Sequence, residues 1–171
     1  RQQYQGETWW ETIDARQRLL DLQRWVSLSG EERALWAKSF SFDQQAAEVQ
    51  YAGKYREAAP LYQQALGIRE RMLGPSHSQT AMSLDNLAQL YFLQGQYAEA
   101  QPLYERALAI REKVLGPLHP ATANSFSNLA VLYQFEGAYA KALSLHERVV
   151  AIDEKTLRPE DLRASANLNN L

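Results

Sequence analysis

Histidine is the side chain most often used for proton transfer or metal binding near neutral pH, and this 171-residue chain has three. His77 and His119 stand in matching loops 42 residues apart, and His146 stands where Tyr104 stands one copy earlier. Two loop histidines at one repeat position point to capping of helix ends, and His146 to aromatic packing. Neither arrangement supplies the paired groups that catalysis requires. No HExxH, phosphate-binding loop, GxSxG or cysteine pair occurs. With no cysteine there is no disulfide, thiol nucleophile or cysteine metal site. The chain is therefore expected not to be an enzyme, with no catalytic, cofactor-binding or metal residues and no cofactor. A different chemistry recurs instead. Asn86, Asn128 and Asn170 occupy one repeat position, 42 residues apart. An asparagine amide both donates and accepts, so a ladder of them can hold a peptide main chain without reading its side chains.

The period of that ladder is the period of the whole chain. GKYREAAPLYQQALGIRERML starts at Gly53, GQYAEAQPLYERALAIREKVL at Gly95, and a looser copy, GAYAKALSLHERVVAIDEKTL, at Gly137. Between Tyr55–Gly74 and Tyr97–Gly116, 13 of 20 positions are identical, which chance spacing does not produce. A fixed period in this range means stacked helical units rather than one globular core. The formal net charge of −2 and pI near 6.0 argue against nucleic acid or an anionic membrane as partner. No stretch approaches the roughly 18 apolar residues of a membrane span, and no signal peptide is visible.

The spacing predicts helices throughout. Thr8 to Glu11 fits a capping box opening a helix over residues 9–27, and Ser29 to Glu32 fits a second, opening a helix that runs towards Tyr51. Trp9, Trp10, Trp25 and Trp36 all fall in this lead-in, as a cap over the open end of a stack or as an aromatic docking patch. Beyond it, Leu84, Leu87, Ala88 and Tyr91 form one apolar helix face, and Phe126, Leu129, Ala130 and Tyr133 repeat it. Gly95 and Gly137 end those helices. A longer helix of about five turns follows from Tyr97, with Pro102 in its early turns as Pro60 is one copy before. In the loop Gly116-Pro117-Leu118-His119-Pro120, the last proline suits the first position of the next helix. Ala88, Ala130, Ala100, Ala107 and Ala142 stand where helices approach closely, beside Tyr91, Tyr104 or Leu108. The runs Arg69-Glu70-Arg71 and Arg111-Glu112-Lys113 read as solvated faces. After Arg158-Pro159, the segment SANLNNL from Ser165 restarts a repeat and stops at Leu171. The chain, which begins at Arg1, thus reads as a segment of a longer protein.

This pattern of Leu84, Leu87, Ala88, Tyr91, Gly95, Tyr97, Ala100, Tyr104, Ala107 and Leu108 resembles the tetratricopeptide repeat (TPR). The 42-residue period and the segment from Ala109 to Pro120 resemble its kinesin light chain class. The resemblance covers about residues 41–171 and implies an all-α fold, a right-handed solenoid of antiparallel helix pairs. The expected organisation is a non-repeat N-terminal helical cap at 1–40 and a TPR array at 41–171, about three repeats and the start of a fourth. Gln45 and Glu48 replace the leucines of later copies, which suits a terminal repeat. Residues 6–38 also resemble lead-in segments of large bacterial multidomain proteins that join such repeats to a kinase, a nucleotide-switch ATPase or a caspase-like protease.

The resemblance implies a protein-interaction scaffold, cytoplasmic, that binds a peptide or partner domain in its concave face. The alternative is a sensor arm that regulates a catalytic domain elsewhere in the protein. Asp85, Asn86 and Gln89, then Asn124, Ser127, Asn128 and Val131, and finally Asn169 and Asn170 are expected to line the groove, with the repeated asparagine holding peptide main chain as it does in the family. The Lys/Arg pair with which some members hold a terminal carboxylate is missing, and Asp43 and Asp85 are acidic. A neutral or basic peptide with apolar anchors against Phe92, Leu93 and Val131 fits that description. The expected partner is a protein, a peptide or a domain of the same polypeptide, with no nucleic acid and no membrane.

Overall fold

The computed structural model describes residues 9–156, with side chains from Glu11 onward. All regular structure among these residues is helical: α1 (Trp9–Ser27), α2 (Gly30–Tyr51), α3 (Tyr55–Leu73), α4 (Ser78–Leu93), α5 (Tyr97–Val114), α6 (Pro120–Phe135) and α7 (Tyr139–Thr156). The capping box at Thr8 and the restart after Arg158 lie outside the described residues. The second capping box is present. The Ser29 side chain accepts from the Glu32 N–H, and the Glu32 carboxylate accepts from the Ser29 N–H at 2.8 Å.

Helices α2/α3, α4/α5 and α6/α7 form antiparallel pairs, packed more densely within each pair than between pairs. One cluster joins Ala46, Ala58, Tyr62, Leu87 and Leu90. A second joins Ala88, Ala100, Tyr104, Leu129 and Leu132, each displaced by one period. A further pair of clusters repeats in the same way. Ala81, Leu84, Ala107 and Ile110 correspond to Ala123, Phe126, Val149 and Ile152. In each case the alanines have almost no exposed surface, so neighbouring backbones approach while the tyrosines and leucines fill the flanks.

The polar first copy has a physical reason. Leu87 and Leu90 pack on the preceding pair through Ala58 and Tyr62. Helix α2 has no preceding pair, and its equivalents Gln45 and Glu48 are exposed. At the other end of α2, Trp36 packs with Met72, Leu73 and Trp25. The Trp25 and Trp36 rings meet edge to face at 5.3 Å. These two tryptophans thus serve as a cap, and the side chains of Trp9 and Trp10 lie outside the described residues.

Candidate binding groove

On α4, residues 84, 87 and 88 face the core. The positions between them, 82, 85, 86 and 89, must therefore face the other way. Helix α6 repeats this arrangement. The two outward faces meet in a cleft of about 420 Å³ lined by Met82, Asp85, Asn86, Gln89, Ala121, Asn124, Ser127 and Asn128, with Arg111 reaching in from α5. An apolar hollow of about 160 Å³ adjoins it, walled by Phe92, Leu93, Tyr104 and Val131. Gln89 and Asn128 line both, so polar cleft and apolar hollow form one groove. The structure brings together Asp85, Asn86, Gln89, Asn124, Ser127, Asn128 and Val131. Asn169 and Asn170 lie outside the described residues. Gln44, the first-copy equivalent of Asn86, is exposed and bonds to Glu48 instead.

The charge of the groove differs from the reading of the sequence. Arg69 and Arg111 do not lie on solvated faces. Arg69 has no exposed surface, and Arg111 turns inward to pair with Asp85 and donate to Ser125 Oγ. The Asp85 carboxylate is therefore matched by a cation, and the floor of the groove is close to neutral. Burial pushes the Asp85 carboxyl up, and the Arg111 charge beside it acts in the opposite direction. Arg111 is the groove residue that sequence reasoning missed. The signal for it was present: Asp43, Arg69 and Ser83 reappear as Asp85, Arg111 and Ser125, all displaced by 42.

The apolar end is built from aromatic rings. Phe92 packs on Phe135 at 5.0 Å and on Tyr97 at 5.4 Å. Phe135 is 61% exposed, so a hydrophobic shelf extends from the hollow to the rim. His77 and His119 are N-caps of α4 and α6, as expected of repeated loop histidines. His146 is buried, and its Nε2 lies 3.3 Å from the Gln134 amide nitrogen, consistent with a packing position.

Stacked antiparallel helix pairs with a polar groove across their first helices define a helical-repeat solenoid. The tetratricopeptide repeat sequence profile matches residues 46–113 and 86–155, and the chain belongs to that family. Domains of this family typically mediate protein–protein interaction and are generally not enzymatic. Among solved structures, a Podosopora anserina kinesin light chain with nearly identical TPR-like repeats is 34% identical, with a TM-score of 0.65 over 77% of this chain and 60% of that one. BtubC (BKLC) from P. vanneervenii is 22% identical, with a TM-score of 0.67 over 89% of this chain and 66% of that one. The second TPR of Spaghetti (RPAP3), bound to the HSP90 peptide SRMEEVD, is 18% identical, with a TM-score of 0.54 over 72% of this chain and 99% of that one. The chain thus spans less than two thirds of the kinesin light chain structure. No curated protein sequence matches it. Among the described residues, no helix is long and apolar enough to cross a membrane.

Proposed function

We propose that the groove between α4 and α6 binds an extended peptide or the exposed segment of a partner protein. The observation that carries this reading is the shared wall of Asn86 and Asn128 beside an apolar hollow. The asparagines hold the ligand main chain, and the hollow takes one apolar side chain. The Arg111–Asp85 pair leaves the floor without a net charge to demand of the ligand. The peptide held by the Spaghetti repeat, on the same fold, supports this ligand class.

The test is selection of displayed random peptides on the 171-residue chain, followed by affinity measurement on variants. Asn86→Ala with Asn128→Ala removes two side-chain hydrogen bonds to the ligand. It should weaken the selected peptides by about tenfold or more, at roughly 1 kcal/mol each. The melting temperature should move by no more than about 2 °C, since neither residue packs the core. A large loss of stability with unchanged affinity would refute the assignment.

A further inference from the structure

Both groove helices begin on a histidine. The Nδ1 of His77 accepts from the Gln79 N–H at 3.2 Å, and the Nδ1 of His119 from the Ala121 N–H at 3.1 Å. A histidine can cap in this way only as the neutral ring with Nδ1 bare, because both nitrogens of an imidazolium carry hydrogen. The other nitrogen of each ring meets a carboxylate of α1. His77 Nε2 lies 2.9 Å from Asp21 Oδ1, and His119 Nε2 lies 3.3 Å from Asp14 Oδ1. Asp21 also accepts from the Gln79 side chain at 2.8 Å.

The spacing makes this a device rather than a coincidence. Asp14 and Asp21 are two helical turns apart, roughly 10 Å along the axis. The two histidines are one repeat apart. Helix α1 therefore runs along the loop edge of two successive repeats with one carboxylate for each loop. Its C-terminal end is anchored separately, where Arg33 donates to the Trp25 and Val26 carbonyls. A carboxylate facing Nε2 draws the single ring proton there and leaves Nδ1 free to cap.

We propose that α1 and the two loops form an acid-sensitive latch. Asp14 and Asp21 hold His119 and His77 in the form that caps α6 and α4, and ring protonation breaks both caps. The first turns of the groove helices then loosen, including Ala121 in the groove wall. The charged groups facing the rings are Asp14 from α1 and Arg111 from α5 at His119, and Asp21 from α1 at His77. Beside the first loop, Arg106 pairs with Glu70 and donates to the Pro75 carbonyl. Burial holds His119 below its ordinary value; Asp14 pulls it up and Arg111 pushes it further down. The folded ring thus binds protons less readily than the unfolded one. Its contribution is present above the ordinary value of about 6.5 and is lost as pH falls through the folded value.

The test is the protection factor of the Gln79 and Ala121 amides in the 171-residue chain, measured by hydrogen exchange at about pH 7.5 and about pH 5. Acid should lower protection at both amides about fivefold, the worth of an N-cap. His77→Asn with His119→Asn should abolish that pH dependence, because asparagine caps without titrating. Asp14→Ala with Asp21→Ala should lower protection at both amides already at the higher pH, with mid-helix amides of α4 and α6 unchanged. Equal protection at both pH values in the parent chain would overturn the latch. So would an acid loss that survives in the asparagine variant, or aspartate removal that leaves both amides protected.

Discussion

Arg69 is the largest side chain with no exposed surface, and it is charged. Its Nη1 lies 2.5 Å from Asp43 Oδ2 and donates to Ser83 Oγ, with the Phe40 ring 4.9 Å away. A buried guanidinium costs several kcal/mol unless its charge is matched, so each partner depends on the other. Arg69→Met should cost about 3–5 kcal/mol in urea unfolding, because Asp43 is left half-buried and unmatched. Adding Asp43→Leu should recover most of that loss, which distinguishes an orphaned charge from lost packing. The third register breaks the pattern: Ser127 stands at the aspartate position and Asp153 at the arginine position. The released position explains why Ser127 is free to line the groove while Asp43 and Asp85 are each tied to an arginine.

Helix ends, more than helix interiors, set how the pairs turn. Gly53, Gly95 and Gly137 follow the first helix of each pair with φ of +75°, +73° and +76°. A side chain at Gly95 would meet nothing within 4 Å, so the cost of one is conformational rather than steric crowding from neighbours. Gly95→Ala should therefore cost about 1–2 kcal/mol, read from urea midpoints. These glycines, the capping box at Ser29 and Pro120 at the start of α6 were legible in the sequence, since a cap depends on residues within one turn of it. The buried state of Arg69 and Arg111 was not. Their partners Asp43 and Asp85 lie 26 residues away, on the neighbouring helix of the pair. Next to Glu70 and Glu112 in the chain, the same arginines look like ordinary surface ion pairs. The groove positions fall between these cases. Helical period alone put Asn86 and Asn128 opposite the packing face, but Arg111 could enter the groove only once α5 was placed beside α6.

The assembled chain is a series of nearly equal units, each stabilised by its neighbours. Leu132 is fully buried and joins α6 to the preceding pair through Ala100 and Tyr104. Leu132→Ala should cost about 2–5 kcal/mol at that junction. Hydrogen exchange should then show α6 and α7 opening before α2 to α5, where one concerted transition would argue for a single core. Titration acts on the same scale, with two opposing signs. The raised carboxyls of Asp43 and Asp85 bind protons more readily when folded, so their contribution grows as pH falls through their raised values towards about 3.9. The lowered value of His119 acts in the opposite direction, starting below about 6.5. Stability measured against pH should therefore fall first through the histidine region before the carboxyl contribution appears.

The sequence by itself determined the architecture. A 42-residue period of small and large apolar positions admits one way of stacking, and the same packing rule is written in it once per copy. It also marked the groove asparagines, because their position relative to the packing face follows from helical geometry alone. Only the three-dimensional arrangement decided which charges are buried and what the lead-in helix does. Whether Arg111 meets water or Asp85, and whether Asp14 and Asp21 meet His119 and His77, depends on which helices come to lie side by side. That proximity arises from the stack as a whole and leaves no trace in the residues adjacent along the chain.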